Sequence, residues 1–342
     1  MAGSKYKVMR VESSSWMPGY LSSTEIERAE LKKADAELIE AECRSEDEII
    51  KAAQDADALL VIFAQMTRRV FESLPKLKVV VRYGIGYDTV DVDAATDNNV
   101  IVVNIPDFCI EEVSDHAIAL LLACARQVAW MDRETKRGRK WTELQVILTA
   151  LPPPYEQTLG LVGCGSIGRV TAKKAQSIGF KTIGYDPYID KAIAAAAGIT
   201  LVALPELLRN SDYISIHTLL NKETRHLIGE EELRQMKPTA YLINTARGAV
   251  VDEQALIKAL DEKWLAGAAL DVFEKEPVDP HNPLLKMDNV ILTPHCAGSS
   301  SAALLKLKLS VVSEAMRVLT GKWPKNVVNK TVKPKVNLVL EK

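Results

Sequence analysis

The sequence predicts an α/β protein with two domains, each built on a parallel β-sheet that helices cover on both faces. The chain has 342 residues, about the length of two average domains. Short apolar runs alternate with helix-like segments along most of it. Such runs are typical of parallel strands, which are buried on both faces.

The first series of strand-like runs lies in the N-terminal third. Its members are KVMRV (7–11), ALLVIFA (58–64), KVVVRY (78–83) and VIVVNI (100–105). Helix-like segments lie between the earlier runs, and we expect one of them over residues 24–40. The series is predicted to end near residues 104–109, where Pro106 closes a strand before an apolar helix.

A second series of strand-like runs follows. Its members are TLGLVG (158–163), KTIGYD (181–186), ITLVA (199–203), YISIHT (213–218), AYLINTA (240–246), AGAALDV (266–272) and VILTPH (290–295). Helix-like segments separate most of them, including one over residues 252–263 with Asp252 as its N-cap. We expect a last helix over roughly 300–320 and, from residue 328 onward, a surface extension without a regular pattern.

The composition is that of an ordinary globular protein, with 47% hydrophobic and 26% charged residues. A net charge of −2 provides no general attraction to nucleic acid or to an anionic membrane. The longest apolar run, residues 117–125, is too short to span a bilayer and suits a buried helix. Five scattered cysteines contain no CxxC pair, so we expect reduced thiols, a cytoplasmic location and no metal ion.

Residues 160–169, GLVGCGSIGR, contain the spacing GxGxxG at Gly163, Gly165 and Gly168. The motif alone is weak, but here an apolar strand precedes it and a helix-like stretch over 167–178 follows it. Gly163 would permit a tight turn, Gly165 would let backbone amides approach a pyrophosphate, and Gly168 would let the helix pack closely on the sheet. Because the N-terminus of that helix would face the phosphates, the pattern predicts a Rossmann-type dinucleotide site.

The strand after the glycine loop ends in Asp186, 18 residues after Gly168 and near the roughly 20 that this motif expects. Its carboxylate can accept hydrogen bonds from both ribose hydroxyls and would repel a 2′-phosphate. The next residues, Pro187 and Tyr188, are not basic, so we expect NAD(H) rather than NADP. A methyltransferase, which would bind S-adenosylmethionine and not NADH, is the main functional rival for such a loop.

Three later strands end in residues that could do chemistry, Arg247, Glu276 and His295. Ligands of an open parallel sheet bind outside the carboxyl ends of the strands, so the three side chains can converge beside a cofactor. Singly, each has an ordinary explanation as a surface arginine, a loop acid or a core histidine. Together they supply what hydride transfer to a 2-keto acid needs, which is a cation for the carboxylate, a proton donor and an acid that holds the donor.

Five ordered motifs make the sequence similar to the D-isomer-specific 2-hydroxyacid dehydrogenases. They are RYGIGYDTVD (82–91), GLVGCGSIGR (160–169), INTARGAVVDEQAL (243–256), AALDVFEKEP (268–277) and TPH (293–295). The resemblance covers about residues 80–325. It implies an NAD-dependent oxidoreductase that interconverts a D-2-hydroxy acid and its 2-keto acid.

The resemblance implies roles for five residues of the active site. His295 would be the general acid in reduction and the base in oxidation, and Glu276 would orient it and favour its protonated form. Arg247 would bind the substrate carboxylate and polarise the carbonyl. The backbone amides of Ile85 and Gly86 would bind the same carboxylate.

The resemblance also implies contacts with the nicotinamide end of the cofactor from Thr245, Asp271 and the loop 217–224. The predicted cofactor-binding set, including the glycine loop, is Gly163, Gly165, Ser166, Ile167, Gly168, Asp186, His217, Thr218, Thr224, Thr245, Ala246, Asp271 and His295.

In the resembling family the cofactor domain is inserted in the substrate domain, and both domains are Rossmann-like or flavodoxin-like. The predicted substrate-binding domain comprises residues 1–104 and 297–330, the NAD-binding Rossmann domain residues 105–296, and a tail residues 331–342. Because family members are usually dimers through the cofactor domain, we expect a homodimer that acts on a small 2-hydroxy or 2-keto acid. We expect no direct binding to nucleic acid or membrane.

Some features depart from the family pattern and leave the choice of hydroxy acid open. The stretch YEQTLG lacks a glycine that often precedes TLG, residues 141–157 are rich in proline, and Cys296 follows His295. The stretches DPYI, RHLI and NTARG also resemble the C-terminal-binding-protein corepressors. An NAD(H)-sensing binding protein of that branch is therefore the alternative from another functional class.

Overall fold

The computed structural model describes residues 5–12 and 21–340, which divide into two compact units. Unit 1 holds the chain up to Phe108 and again from Ser300 onward, and unit 2 holds Cys109–Ser299. Unit 2 is thus an insertion in the sequence of unit 1. Parts of the predicted first domain (1–4 and 13–20) and of the predicted tail (341–342) lie outside the described residues.

Unit 1 contains a parallel sheet that, within the described residues, has five strands. The strands are β1 (Tyr6–Glu12), β2 (Ala36–Glu42), β3 (Ala58–Val61), β4 (Val79–Arg82) and β5 (Ile101–Val103), and the helices are α1 (Glu25–Lys32), α2 (Glu46–Ala53), α3 (Arg68–Ser73), α4 (Val92–Asp97) and α13 (Ser301–Leu319). The strand order is β2-β1-β3-β4-β5. Alternate strand residues enter separate cores, so that Leu60 packs with Val311 of α13 on one face and Leu59 packs with Phe71 of α3 on the other.

The helix predicted over residues 24–40 is wrong in its second half. Helix α1 ends at Lys32, and Asp35 then takes a left-handed φ of 54° that no α-helix continues through. The following residues form β2, in which Ala36 and Leu38 are buried while Glu37 is exposed. The alternation of buried and exposed side chains has the period of a strand, and this local signal outweighs helix propensity.

The chain beyond α13 packs on unit 1 and is not the surface extension that we expected. The buried side chain of Asn329 accepts a hydrogen bond from the Val102 amide at 2.8 Å and donates one to the Val100 carbonyl at 2.9 Å. Val332 is also buried and belongs to the core of unit 1. Asn329 therefore provides hydrogen-bond partners for backbone groups at the edge strand β5, which has no further strand of the described chain beside it to pair with them.

Unit 2 contains a parallel sheet that has seven strands in the described part of the chain. The strands are β6 (Thr158–Val162), β7 (Lys181–Tyr185), β8 (Thr200–Leu201), β9 (Tyr213–Ile216), β10 (Tyr241–Asn244), β11 (Gly267–Leu270) and β12 (Val290–Leu292), in the order β12-β11-β10-β9-β6-β7-β8. The helices are α5 (Ile110–Ala125), α6 (Val128–Lys136), α7 (Trp141–Thr149), α8 (Ser166–Ile178), α9 (Lys191–Ala196), α10 (Leu204–Asn210), α11 (Glu230–Gln235) and α12 (Glu253–Asp261).

Helices cover both faces of this sheet. Leu121 of α5 packs with Leu161 of β6 on one face, whereas Leu256 of α12 packs with Leu242 of β10 on the other. The predicted fold class, two α/β domains with parallel sheets, is confirmed. Among the described residues, none of the helices is both long and apolar enough to cross a membrane.

Candidate active site

Two glycines of the loop between β6 and α8 are required by the packing of the protein itself. Gly163 has a φ of 94°, and a Cβ there would lie 2.8 Å from the backbone of His217. A Cβ on Gly168 would lie 2.3 Å from the Gly163 carbonyl oxygen. A Cβ on Gly165, in contrast, would meet no atom of the described residues within 4 Å. The surface at Gly165 is thus open to a ligand.

Helix α8 directs its N-terminus to this open surface. Its N-cap is Gly165, which has no side chain to cap the helix, and both Gly165 and Ser166 are exposed. The first-turn amides, including those of Ser166 and Ile167, together with the helix dipole favour an anion here. The glycine loop therefore fits a dinucleotide pyrophosphate.

Asp186 follows β7, and backbone amides hold its carboxylate beside the glycine loop. Oδ2 accepts a hydrogen bond from the Cys164 amide at 2.8 Å, and Oδ1 accepts from the amides of Tyr188 at 2.9 Å and Ile189 at 3.1 Å. A carboxylate can accept about four hydrogen bonds, so capacity for a ribose hydroxyl remains.

His217 follows β9 and lies next to the glycine loop. Its amide donates to the Val162 carbonyl at 2.7 Å, and its Nε2 lies 2.9 Å from the Ser215 hydroxyl. Burial lowers the pKa of His217 to about 4, so the imidazole is neutral at physiological pH.

Thr218 and Thr224 belong to the loop that follows β9. Thr218 is half-buried. The Thr224 hydroxyl accepts from the Asn221 amide at 2.8 Å and donates to the Leu219 carbonyl at 2.5 Å, so it shapes this loop.

Asn244, which we did not predict, organises the loop that carries Arg247. Its buried amide donates to the Arg247 carbonyl at 2.8 Å and accepts from the Ala246 amide at 3.0 Å. A polar residue at the end of an apolar strand was the signal that could have identified it. The neighbouring Thr245 is buried, and its hydroxyl has no hydrogen-bond partner among residues 5–12 and 21–340. A buried hydroxyl of this kind fits a polar ligand group.

Gly248 brings the Arg247 loop against the loop that carries Glu276. A Cβ on Gly248 would lie 1.9 Å from the carbonyl carbon of Phe273 and 2.3 Å from the Glu274 nitrogen. Only a glycine allows this approach of two backbones. Arg247 is half-buried, its Nη1 donates to the Ala246 carbonyl at 2.8 Å, and its charge acts on Glu276.

His295 and Glu276 form a hydrogen-bonded pair. The Nδ1 of His295 lies 2.7 Å from Oε2 of Glu276, and Oε1 accepts from the Phe273 amide at 2.9 Å. Burial by itself raises the pKa of Glu276, but the bond and charge of His295, the Phe273 amide and the charge of Arg247 outweigh it and lower that pKa. The carboxylate is therefore ionised at neutral pH, and Nδ1 carries the hydrogen toward it.

Asp271 holds the segment around His295 in place. Its fully buried carboxylate accepts hydrogen bonds from the Thr293 hydroxyl at 2.6 Å and from the amides of Cys296 and Ala297, both at 2.9 Å. Its carbonyl accepts from the His295 amide at 2.7 Å. His295 thereby keeps a left-handed φ of 51°, which few non-glycine residues adopt.

His116 of α5 also joins this network, and we did not predict it. Its Nε2 lies 3.0 Å from the Thr293 hydroxyl and 3.6 Å from Oδ1 of Asp271. A lone histidine within a largely apolar helix was the available signal.

The predicted residues of unit 1 lie in the loop after β4. The Asn104 side-chain amide donates to the Ile85 carbonyl at 2.7 Å, and Gly84 turns the chain with a φ of 147°. Ile85 is half-buried and Gly86 is buried.

Unit 2 gathers its predicted residues at one sheet edge. Arg247 follows β10, Asp271 and Glu276 follow β11, and His295 follows β12, and these three strands are neighbours. The glycine loop and the segments with Asp186 and His217 follow β6, β7 and β9 of the same parallel sheet. This edge can therefore hold a dinucleotide beside an acid–base pair and a guanidinium.

Residues 118–297 match the family described as "D-isomer specific 2-hydroxyacid dehydrogenase, NAD binding domain". The chain is 41% identical over 285 residues to a glyoxylate reductase of Korarchaeum cryptofilum, which covers 83% of this chain and 86% of that protein.

Two solved structures resemble the whole chain. One is an NADPH-dependent glyoxylate/hydroxypyruvate reductase of Sinorhizobium meliloti in complex with NADP and malonate, with 26% identity, a TM-score of 0.81 and coverage of 98% of this chain and 100% of that one. The other is a D-lactate dehydrogenase of Aquifex aeolicus in complex with NAD and lactic acid. It has 26% identity and a TM-score of 0.78, and the match covers 94% of this chain and 99% of that one.

These similarities confirm the predicted family and enzyme class. The structural relatives include complexes with NAD and with NADP, so the preference for NAD(H) stays a prediction. The corepressor-like branch likewise stays a hypothesis. The chain belongs to the D-isomer-specific 2-hydroxyacid dehydrogenase family and is an NAD(P)-dependent oxidoreductase that acts on the CH–OH group of 2-hydroxy acids.

Proposed function

We propose that this enzyme reduces a small 2-keto acid to the D-2-hydroxy acid, and catalyses the reverse reaction, with His295, Glu276 and Arg247 as its catalytic set. The observation that carries the proposal is the 2.7 Å hydrogen bond between Nδ1 of His295 and Oε2 of Glu276. It leaves Nε2 as the atom of His295 that can exchange a proton with a substrate.

His295 moves the proton in either direction. In reduction, Nε2 donates its proton to the oxygen that was the carbonyl, and in oxidation Nε2 accepts the hydroxyl proton. Glu276 stabilises the protonated imidazole and keeps its ring orientation, because its ionised carboxylate accepts from both Nδ1 and the Phe273 amide.

Arg247 binds the substrate carboxylate and polarises the neighbouring carbonyl. Its planar fork can make two parallel hydrogen bonds with a carboxylate, which also sets the orientation of the substrate. The rigid Asn244 contacts and the backbone approach at Gly248 hold this loop in place.

NAD(H), when bound, supplies or accepts the hydride. The residues that would hold it are those of the glycine loop with its open surface at Gly165, Asp186 for the ribose hydroxyls, and Thr245 and Asp271 for the nicotinamide end. The buried Thr245 hydroxyl supports this assignment. The fixed negative charge of Asp186 would repel a 2′-phosphate, which supports NAD(H) over NADP.

A panel of 2-keto acids with both NADH and NADPH tests the function and its substrate. Glyoxylate and hydroxypyruvate come first because the reductases described above carry those names, followed by pyruvate and longer keto acids. We expect turnover of at least one small keto acid with NADH. If NADH binds but none of these keto acids is reduced, the proposed substrate class fails.

We also propose that the protein is a cytoplasmic homodimer that pairs through the face formed by α6, α7 and the segment after them. Trp141, Val146 and Tyr155 expose 73%, 69% and 66% of their surface there, which is unusual for large apolar side chains. Light scattering should give the mass of a dimer for wild type. The double variant Trp141→Glu, Val146→Glu should have the mass of a monomer. A monomeric wild type would refute this part.

A further inference from the structure

Three side chains with metal-binding atoms come together in unit 2. The Nε2 of His116, Oδ1 of Asp271 and Sγ of Cys296 all lie within 4.8 Å of one another. Oδ1 of Asp271 is 3.6 Å from Nε2 of His116 and 3.6 Å from Sγ of Cys296. The residues come from α5, the end of β11 and the segment after β12, so their distance in sequence conceals the cluster.

The two separations from Asp271 suit a tetrahedral zinc ion. Zinc lies about 2.0 Å from imidazole nitrogen or carboxylate oxygen and about 2.3 Å from a thiolate, so tetrahedral ligands are roughly 3.3 to 3.7 Å apart. Both measured contacts of Asp271 fall in this range. A set of nitrogen, oxygen and sulfur ligands selects zinc over magnesium or calcium, which prefer oxygen alone.

The surroundings support a site that solvent can reach. The Ala297 amide donates to Oδ2 of Asp271 at 2.9 Å and so orients the carboxylate through the oxygen that does not face the ion, as outer contacts orient the ligands of metal sites. The side chain of His116 is 22% exposed and Cys296 is partly exposed, which gives an ion access. A water can take the fourth position.

We propose that His116, Asp271 and Cys296 bind Zn²⁺, and that the bound ion inhibits the enzyme in competition with the cofactor. The inhibitory part rests on the proposed function, which places Asp271 at the nicotinamide end. The ion would occupy Asp271 and draw the Cys296 segment toward His116, beside the catalytic His295.

Metal binding is tested on the full chain without cofactor or substrate. Cd²⁺ is titrated while its thiolate charge-transfer band is followed in the ultraviolet, and Zn²⁺ is measured by competition with a chromogenic chelator. We expect one ion per chain in wild type and in His281→Gln, a control at an exposed histidine. Cys296→Ser should abolish the band, and His116→Gln should weaken binding about tenfold or more.

X-ray absorption of the zinc-loaded wild type provides a measurement that needs no variant. We expect one sulfur neighbour at about 2.3 Å with nitrogen or oxygen neighbours at about 2.0 Å. A shell without sulfur, a band that persists in Cys296→Ser, or unchanged affinity in His116→Gln would overturn the site.

Competition is tested by measuring NADH affinity with saturating Zn²⁺ and with a chelator. We expect zinc to weaken NADH binding about tenfold or more and NADH to weaken zinc binding equally, because coupling is reciprocal. Independent binding of the two would overturn the inhibitory role while the zinc site stands. Absence of NADH binding by the metal-free protein would instead refute the proposed function.

Discussion

Gly248 lies so close to Phe273 that a Cβ on the glycine would be 1.9 Å from the Phe273 carbonyl carbon. The two residues belong to loops that carry Arg247 and Glu276. Their backbone contact therefore sets the distance between the guanidinium and the acid that holds His295, although neither Gly248 nor Phe273 offers a reactive group.

Gly248→Ala should separate these loops and impair catalysis more than folding. We expect kcat/KM for a keto acid to fall at least about tenfold and stability to fall by about 2 kcal/mol, since backbone must move. Steady-state kinetics and urea denaturation measure the two effects. Gly229→Ala is the matched control, because its Cβ would make only ordinary contacts, 3.4 Å from the Glu232 carboxylate and 3.7 Å from the His226 carbonyl oxygen. Equal effects of both variants would contradict this account.

Arg247→Lys should keep the positive charge but lose the planar fork. We expect kcat/KM to fall about ten- to a hundredfold while the Kd for NADH stays within about twofold. Arg234→Lys, at an exposed arginine of α11, should change neither value. A matching loss of NADH affinity in Arg247→Lys would refute its role as the substrate anchor.

Glu276→Gln should impair keto-acid reduction, because the ionised carboxylate 2.7 Å from Nδ1 of His295 holds the imidazole ring in place. We expect kcat/KM to fall about tenfold or more, since a well-positioned proton donor contributes about 10²–10⁴-fold. Steady-state kinetics measure the loss. Glu274→Gln removes an acid that lies in the same loop but pairs with His226, and its kcat/KM should match wild type. A wild-type kcat/KM in Glu276→Gln would exclude this role of Glu276.

Asp186→Asn should relax the preference for NADH over NADPH by about tenfold or more. The substitution removes the charge that repels a 2′-phosphate. It keeps one oxygen, which can still accept from the amides of Tyr188 and Ile189, while the Cys164 amide loses its acceptor. The ratio of kcat/KM with the two cofactors is the measurement, and Asp190→Asn at the N-cap of α9 is the control. Unchanged selectivity would argue against a ribose contact of Asp186.

His217→Gln should make the protein less sensitive to acid. Burial depresses the pKa of His217 from 6.5 to about 4, so between these values only the unfolded chain binds the proton. The contribution of His217 to the free energy of unfolding is therefore fully present above about pH 6.5. It declines toward pH 4, by up to about 1.4 kcal/mol per pH unit.

Urea denaturation of the cofactor-free protein at pH 7.5 and pH 5 tests this effect. Between the two pH values His217→Gln should lose less stability than wild type, whereas His281→Gln should behave as wild type. The same acid sensitivity in all three proteins would show that other groups cause it.

Much of the fold follows from local patterns. The apolar runs predicted the strands because a parallel strand buried on both faces must be apolar along its length. The same approach failed at residues 36–42, because an edge strand with one exposed face carries several acids and can be mistaken for a helix. It also failed at Asn329, whose hydrogen bonds join residues more than 200 positions apart.

The sequence by itself determined the family and the fold class and identified Arg247, Glu276 and His295 as candidate catalytic residues, because strand ends and glycine spacings are local features. The tertiary structure alone decided how these residues meet. The backbone approach at Gly248, the Asn244 contacts and the cluster of His116, Asp271 and Cys296 depend on which strands lie side by side. Local periodicity does not predict which strands are adjacent, because these contacts form only when β10, β11 and β12 pair in register.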